Sequence, residues 1–283
     1  MSNRDSFFTL EEIRQRLSIS TLVFDGFRPI GEAALEELAR HGIRSIELIE
    51  SPEQYDLAEP SSMRHIGDVC TRCGIQVVAY HAYKTSFADV DTESKRQERV
   101  DLCRRQIDTL LELGGTLWGS HAGEGDDIVE KSYQELACHV EGTAATIAVE
   151  NFGRPGVSVE DRVEFLDRMN HPQVGMILDV GHERNAAGIN PMTLPGGPTT
   201  ILEECGHRLA HLHLHGFKEG RDHHPPLVDG DEIQWQELFQ MAHAVNYPGY
   251  FNFEPRGMLA NHETLNYVEQ APENLFNLSS SQV

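Results

Sequence analysis

Two stretches decide the fold: Met176-Ile-Leu-Asp-Val-Gly-His182 and Leu209-Ala-His-Leu-His-Leu-His215. Each contains a short apolar run that leads into side chains able to bind a metal ion. A continuous apolar run is typical of a parallel strand that is covered on both faces. The same form recurs at residues 147–150 and 250–254, which end in Glu150 and Glu254. We therefore expect buried strands whose carboxyl ends carry polar chemistry.

Strand and helix patterns alternate along the whole chain. Eight strands followed by eight helices predict a single (β/α)8 TIM barrel over residues 1–283. The rival, a doubly wound open sheet, usually has a glycine-rich turn after its first strand, where this chain reads Phe24-Asp-Gly-Phe-Arg-Pro29. The longest irregular stretches, 184–198 and 216–231, are interpreted as active-site loops. The predicted strands are 19–24, 45–49, 75–80, 116–120, 145–150, 174–179, 209–214 and 250–254, and the helices are 31–41, 61–73, 93–113, 127–141, 159–169, 199–205, 232–245 and 263–278.

The charge balance argues against nucleic acid as a partner. The formal net charge is −22, from 23 basic and 45 acidic residues. An acidic surface repels phosphodiester backbones, and the longest basic runs are pairs such as Lys95-Arg96.

Neither the amino end nor the cysteines indicate export. Residues 1–8 contain no apolar core of signal-peptide length, and no segment approaches the ~18 apolar residues of a membrane helix. We therefore expect a cytoplasmic protein without a membrane partner. Free thiols fit five scattered cysteines better than disulfides do: Cys70, Cys73, Cys103, Cys138 and Cys205.

The last four strands each present a metal-type ligand near their carboxyl ends. These residues are Glu150, Asp179, His213 and Glu254, and the carboxyl ends of barrel strands converge on one face. Three carboxylates cannot share a buried site unless a cation neutralises them. Three carboxylates and one histidine suit Mn²⁺ best, with Mg²⁺, Co²⁺ or Zn²⁺ as alternatives.

Histidines cluster at the same predicted strand ends. Strand alternation places the three histidines of residues 211–215 on one face, and they cannot all bind one metal. Of the 15 histidines in the chain, eight lie at or just past predicted strand ends: His81, His121, His182, His211, His213, His215, His223 and His224.

Together these motifs resemble the xylose isomerase-like barrel superfamily, which includes ketose epimerases, hydroxypyruvate isomerase, inosose dehydratase and the apurinic endonuclease IV family. The resemblance is clearest over residues 173–235. Similarity to the epimerases implies that the four strand-end residues bind one metal and that His182 contacts the substrate. In the endonuclease branch, further ligands would join them around three zinc ions: His81, His121, Asp222 and His224. The motifs are Ala148-Val-Glu-Asn151, Leu178-Asp-Val-Gly-His182, Ala210-His-Leu-His213, Asp222-His-His-Pro225, Gly230-Asp-Glu-Ile-Gln-Trp235 and Phe253-Glu-Pro255.

Other features separate the two branches. The endonucleases carry a Cys-His-Ala-Phe-type stretch after the strand-six aspartate, where this chain reads Val180-Gly-His-Glu-Arg-Asn185. After the strand-seven histidine they carry Asn-Asp-Ser, where this chain reads Leu214-His-Gly-Phe-Lys218. The epimerases have an arginine shortly after that histidine, and Arg221 lies two residues later than expected.

We therefore expect a metal-dependent isomerase or epimerase, or a related dehydratase or lyase, acting on a small sugar, keto-sugar or polyol. Glu150 and Glu254 would transfer the proton through an enediolate. His81, Lys218 and Arg221 are further candidates for substrate contacts. Two alternatives stay open: a zinc-dependent apurinic endonuclease-like phosphodiesterase, and a metal-binding or partner subunit without catalysis. The sequence also leaves open an assembly of identical copies.

Overall fold

Eight parallel strands close into a barrel. The structure is a computed structural model that describes residues 7–24, 30–51, 58–122, 127–151, 158–223, 227, 230–256 and 263–279. The order around the barrel is β1-β10-β7-β6-β5-β4-β3-β2, so the chain winds round once and β10 closes against β1. The predicted TIM barrel is confirmed. Its strands are β1 (Leu17–Ser20), β2 (Ser45–Ile49), β3 (Gln76–Ala82), β4 (Leu117–Ser120), β5 (Thr146–Glu150), β6 (Val174–Asp179), β7 (Leu209–Leu214) and β10 (Phe251–Phe253).

A helix follows each barrel strand, and one further helix precedes the first. Local signals fix the helix ends; for example, Ser158 and Asp161 form a capping box that starts α6, and Asn170 ends it in the left-handed region at φ 46°. Among the described residues, no helix is both long and apolar enough to span a membrane. The helices are α1 (Leu10–Arg16), α2 (Glu32–Arg40), α3 (Pro60–Cys73), α4 (Glu93–Glu112), α5 (Asp127–Val140), α6 (Val159–Met169), α7 (Gly197–Cys205), α8 (Trp235–Ala244) and α9 (Glu263–Leu278).

Alternation along the strands separates an apolar layer from a polar interior. In β2, Ile46 and Leu48 belong to the buried apolar core, while Glu47 between them reaches across the barrel to His213. In β7, Leu212 likewise lies in the apolar core beside that histidine. Because neighbouring side chains on a strand point to opposite faces, the apolar residues face the helices and the polar ones face the barrel axis.

The first strand differs from its predicted range. Residues 19–24 were expected to be extended, but β1 ends at Ser20 and Thr21–Phe24 form a 3-10 helix. The Ser20 hydroxyl accepts a hydrogen bond from Leu22 N at 3.3 Å, and the Thr21 hydroxyl accepts one from Ile49 N at 2.9 Å. Such side chain to backbone hydrogen bonds compete with the strand ladder. The apolar pattern alone does not show them.

A β-hairpin occupies part of the stretch predicted as an irregular loop. Strands β8 (Gly216–Lys218) and β9 (Arg221–His223) pair antiparallel. The two residues between them, Glu219 and Gly220, have φ of 53° and 73°. Two successive residues with positive φ are typical of the tight turn whose twist matches a hairpin. The hairpin rises directly after β7, at the carboxyl end of the barrel.

A buried amide ties the ends of β5 and β6 together. Asn151 donates from Nδ2 to Asp179 O and to Glu183 Oε2, both at 3.0 Å, and its Oδ1 accepts from Asp179 N at 2.7 Å. Glu183 is only 3% exposed. Burial raises the pKa of its carboxyl from the ordinary 4.5 to about 7.

This carboxyl predicts that Glu183→Gln stabilises the protein in a pH-dependent way. Between pH 4.5 and about 7 the unfolded chain releases the Glu183 proton while the folded chain retains it, so stability falls as pH rises through this window. An amide at this position avoids the cost of burying the charge and can still accept from Asn151. We expect the free energy of unfolding to rise by about 1–3 kcal/mol at pH 8 and to stay near the wild-type value at pH 4.5.

Urea unfolding at the two pH values measures this difference, with Glu164→Gln on the exposed face of α6 as the matched control. A variant that is equally destabilised at both pH values would contradict the prediction.

Candidate functional site

The four predicted ligands lie at one end of the barrel. Glu150 and Asp179 are the last residues of β5 and β6, His213 is the penultimate residue of β7, and Glu254 directly follows β10. All four are at most 3% exposed. Parallel closure of the barrel therefore brings together groups that are far apart in the sequence.

Glu150 is the centre of a histidine cluster. Its Oε2 lies 2.8 Å from His81 Nε2 and 3.2 Å from His121 Nε2. Its Oε1 lies 2.8 Å from His182 Nδ1. His81 lies in β3, and His121 directly follows β4. The carboxylate on β5 thus links three histidines that were predicted as candidates from the sequence.

The Asp-Val-Gly-His motif gives the two carboxylate oxygens of Asp179 different surroundings. Asp179 Oδ1 accepts from Gly181 N at 2.8 Å and from His182 N at 3.0 Å, and it lies 3.2 Å from His215 Nδ1. Among the described residues, the buried Oδ2 has no hydrogen-bond partner. A Cβ on Gly181 would lie 2.7 Å from His215 Cγ, so glycine is required for the ring to approach the turn.

His213 presents its two ring nitrogens to different groups. Its Nδ1 lies 3.3 Å from Glu254 Oε1 and 3.7 Å from Glu150 Oε2. Its Nε2 lies 3.1 Å from Glu47 Oε2 on the opposite side. The buried Nδ1 has no hydrogen-bond partner in the part of the chain that the structure describes.

These residues have the chemistry of a site for a divalent cation. Glu150, Asp179 and His213 offer ligand atoms within 4.8 Å of one another, and His213 is shared with a second such group that contains Glu47, His81 and Glu254. Carboxylate oxygens with one imidazole suit Mn²⁺ and similar cations. Buried polar atoms are normally hydrogen-bonded. A cation would use the Asp179 Oδ2 and His213 Nδ1 lone pairs, so the residues fit one.

The histidines keep the buried carboxylate at the centre ionised. Burial by itself would raise the pKa of Glu150, but the charges of His121 and His81 hold that pKa well below its usual range. A divalent cation would neutralise the carboxylate in the same way, by opposite charge at short range.

The carboxylates in turn raise the pKa of two histidines. Burial by itself would lower both values. Asp179 and then Glu150 nevertheless raise the pKa of His182 to about 10, and Glu254 and Glu47 raise that of His213 to about 9. A metal ligand must present a neutral imidazole nitrogen, so cation binding at His213 has to compete with a proton.

Sequence reasoning missed Glu47, which lies among these groups in the middle of β2. It is fully buried, and two histidines of β7 approach its Oε2, His213 at 3.1 Å and His211 at 3.3 Å. Burial by itself would raise the pKa of Glu47, but the charge of His213 and hydrogen bonds from both histidines hold it well below the usual range. A signal was available, because Ser45-Ile-Glu-Leu-Ile49 places an acidic residue inside a predicted buried strand.

The remaining candidates lie on or next to the β8–β9 hairpin. Lys218 is half-buried and Arg221 is exposed. Asp222 forms an ion pair with Arg184, and that guanidinium also lies 4.7 Å from the centre of the Phe217 ring. The structure thus pairs Asp222 with the loop after β6 and not with the Glu150 cluster. His224 lies outside the described residues.

Solved structures share this fold. A D-psicose 3-epimerase with D-tagatose from Clostridium cellulolyticum H10 matches with a TM-score of 0.70 and 16% identity over 93% of this chain and 98% of that one. The 3-keto-D-glucoside 4-epimerase of E. coli matches with a TM-score of 0.68 and 16% identity over 90% of this chain and 97% of that one. A xylose isomerase-like TIM barrel protein from Mycobacterium smegmatis, in complex with magnesium, matches with a TM-score of 0.69 and 16% identity over 96% of this chain and 98% of that one. At these identities the likeness shows the fold.

Comparison with curated proteins gives no match. The family assignment comes instead from a family model, which describes the xylose isomerase-like TIM barrel and matches residues 35–275. This range covers all the barrel strands except β1 and contains every residue discussed above as a ligand candidate. The chain belongs to the xylose isomerase-like TIM barrel family.

Proposed function

We propose that this protein is a divalent-metal-dependent isomerase or epimerase, or a related dehydratase or lyase, acting on a small sugar, keto-sugar or polyol. The observation that carries the proposal is the group formed by Glu150, Asp179 and His213, whose ligand atoms lie within 4.8 Å of one another. Glu254 completes the set, with Oε1 3.3 Å from His213 Nδ1. The sugar epimerases among the structures with the same fold support this choice of reaction.

The same four residues would hold the cation. Their mostly oxygen donors favour Mn²⁺, and Mg²⁺, Co²⁺ and Zn²⁺ remain alternatives. The magnesium complex of the Mycobacterium smegmatis protein supports a divalent cation in this fold. When bound, the cation would supply positive charge next to the oxygens of the substrate, which stabilises the negative charge that develops there.

Glu150 and Glu254 would move the proton. Removal of a proton next to a carbonyl gives an enediolate, and return of a proton to the other face of the carbon changes its configuration. The two carboxylates lie on β5 and after β10, which β6 and β7 separate around the barrel. Each has its pKa lowered against the effect of burial, Glu150 first by His121 and Glu254 first by His213, so each is in the ionised form that a general base needs.

Four residues around this centre are proposed to contact the substrate. His182 Nδ1 bonds Glu150 and its side chain is 16% exposed, which leaves part of the ring available to a hydroxyl group. His81 is more deeply buried, with its side chain 6% exposed. Lys218 and Arg221, on the adjacent hairpin, supply the positive charge that would attract a substrate oxygen or carboxylate.

A second candidate function is a zinc-dependent apurinic endonuclease-like phosphodiesterase. One observation favours it: His81, His121 and Glu150 also offer ligand atoms within 4.8 Å of one another. Because Glu150 belongs to both groups, two cations could bind next to each other, and two neighbouring cations are used in two-metal phosphodiester cleavage. His121, Asp222 and His224 are the further ligands that this function would use. The charge of −22 opposes DNA binding.

The metal site predicts that Asp179→Asn weakens Mn²⁺ binding. The amide keeps the shape of the side chain but removes the charge that faces Glu150 and His213. We expect the dissociation constant to rise by at least about tenfold, since even outer-shell changes cost that much. Isothermal titration calorimetry measures it. Asp167→Asn is the matched control, because that aspartate pairs with Arg208 beneath the barrel. Wild-type protein that binds no Mn²⁺, or an Asp179 variant that binds it unchanged, would overturn the site.

The proton-transfer mechanism predicts that Glu254→Gln loses turnover at saturating metal. The amide retains one oxygen that can bind the cation but cannot accept the substrate's proton. Activity should fall by at least about a hundredfold. The measurement is deuterium uptake from solvent into a panel of ketoses, keto-inositols and hydroxypyruvate. Glu50→Gln is the control, because Glu50 is also a buried carboxylate but accepts a hydrogen bond from the loop after β3. Near-normal exchange in the Glu254 variant, with a substrate that the wild type turns over, contradicts the two-glutamate mechanism.

The acidic surface predicts that the protein leaves duplex DNA with an abasic site intact. The test requires zinc in excess, so that the group His81, His121 and Glu150 can also be filled. Gel analysis of an end-labelled duplex should show no incision above the metal-only background. Efficient incision that disappears in Glu150→Gln would reject the sugar enzyme and favour the phosphodiesterase.

A further inference from the structure

A string of buried polar groups runs under the proposed metal site. Ser18 in β1, Asn252 in β10 and His213 in β7 occupy neighbouring positions in register. Glu47 in β2 reaches the same level from the other side. TIM-barrel interiors are usually filled by branched apolar residues at such positions. These four polar residues are fully buried, so each needs a hydrogen-bond partner within the barrel.

The hydrogen bonds along this string have a fixed direction. The Ser18 hydroxyl donates to Asn252 Oδ1 at 2.6 Å. The amide oxygen of Asn252 therefore points to β1, and its Nδ2 donates to Glu47 Oε1 at 2.9 Å. The other oxygen of Glu47, Oε2, faces β7 and lies 3.1 Å from His213 Nε2. A carboxylate can only accept, so the proton in this contact belongs to His213 Nε2.

The two ring nitrogens of a neutral histidine carry one proton between them. A proton on Nε2 leaves the lone pair on Nδ1, which is the atom 3.3 Å from Glu254 and 3.7 Å from Glu150. A proton on Nδ1 would instead point at the cation and block it. Metal-binding histidines commonly donate their other N–H to a carboxylate, which fixes the tautomer and the ring plane.

We propose that Glu47 is the positioning residue of the metal site: it holds the proton of His213 on Nε2 and thereby presents Nδ1 to the cation. This inference rests on the proposed function, because it assigns a role in the same site. It also accounts for the second histidine of β7, since His211 Nε2 lies 3.3 Å from the same oxygen of Glu47. Glu47 touches neither substrate nor reacting atoms in this arrangement.

The fixed direction of the string makes Glu47→Gln informative. The introduced amide meets Asn252 Nδ2, a donor, so its oxygen should turn to Asn252 and its NH₂ to His213. Two donors would then face each other unless His213 shifts its proton to Nδ1. We expect the affinity for Mn²⁺ to fall by about tenfold to a hundredfold, the usual scale for loss of such a partner.

The double variant Glu47→Gln with Asn252→Asp should restore the site. The introduced carboxylate on β10 accepts from Ser18 and from the introduced amide on β2, whose oxygen then faces His213 Nε2 again. The double variant also keeps one buried carboxylate and one buried amide, as in the wild type. We expect it to recover most of the lost affinity. Glu50→Gln, three residues further along the same chain segment and also buried, should leave the affinity unchanged.

Calorimetric titration with Mn²⁺ gives the affinities, and ¹⁵N chemical shifts of labelled histidine give the tautomer. The His213 signals are identified by their absence in His213→Gln, and they are read at a pH where the ring is neutral. We expect the proton on Nε2 in the wild type and in the double variant, and on Nδ1 in Glu47→Gln.

The outcomes separate this inference from the proposed function. A wild type that binds Mn²⁺ through Asp179 and Glu254 but carries the His213 proton on Nδ1 overturns the inference alone, whether or not Glu47→Gln folds. Unchanged affinity and tautomer in Glu47→Gln overturn it as well. A wild type that binds no divalent cation overturns the proposed metal site instead.

Discussion

The site depends on the burial of four carboxylates at one end of the barrel. Glu47, Glu150, Asp179 and Glu254 are each at most 3% exposed. An unpaired buried carboxylate costs several kcal/mol or takes up a proton, so four of them at short range need positive charge or donated hydrogen bonds. Histidines provide both, and the protein surrounds the carboxylates with imidazole rings from β3 and β7 and from the residues that follow β4 and β6. The proposed cation is a further source of the same compensation.

The apolar layer of the closed barrel offsets the free-energy cost of burying these charges. Glu47 and His213 each have apolar neighbours on both sides along the strand, and these neighbours belong to the apolar layer that faces the helices. Hydrophobic burial of about 25 cal/mol per Å² in that layer offsets the cost of a polar interior. The loops at the carboxyl end then add groups to the site without changing the strands. This division explains how one barrel accommodates different polar arrangements.

The sequence was sufficient for the barrel because the signal repeats. Apolar runs that end in polar residues, separated by amphipathic helices, place eight strands and the helices that follow them, and the ends of β2, β6 and β7 agree with the predicted ranges. The start of the chain was less predictable. Helix α1 was not expected, and the last four residues of the predicted first strand form a 3-10 helix, next to hydrogen bonds of Ser20 and Thr21 that no periodicity encodes. The turn at Glu219 and Gly220 likewise depends on two local backbone conformations.

For the site, position along a strand was the useful signal. Glu150, Asp179 and His213 could be found because they stand at strand ends, and the structure brings them within 4.8 Å of one another. Glu47 could not be found by that rule, because it stands in the middle of β2 and not at its end. The partner of Asp222 was also inaccessible, since Arg184 belongs to a different loop and no spacing links the two.

Cation binding at Asp179 and His213, as proposed above, would connect the supply of cations to the amount of folded protein. A ligand that binds only the native state stabilises it by RT ln(1 + [L]/Kd), which is about 2.7 kcal/mol at a hundredfold excess over Kd. Such a gain changes the unfolded fraction about a hundredfold, and the unfolded chain is the form that proteases degrade. A cell short of the proposed cation would then lose this protein by turnover as well as by inactivity. Its abundance would report the availability of the cation.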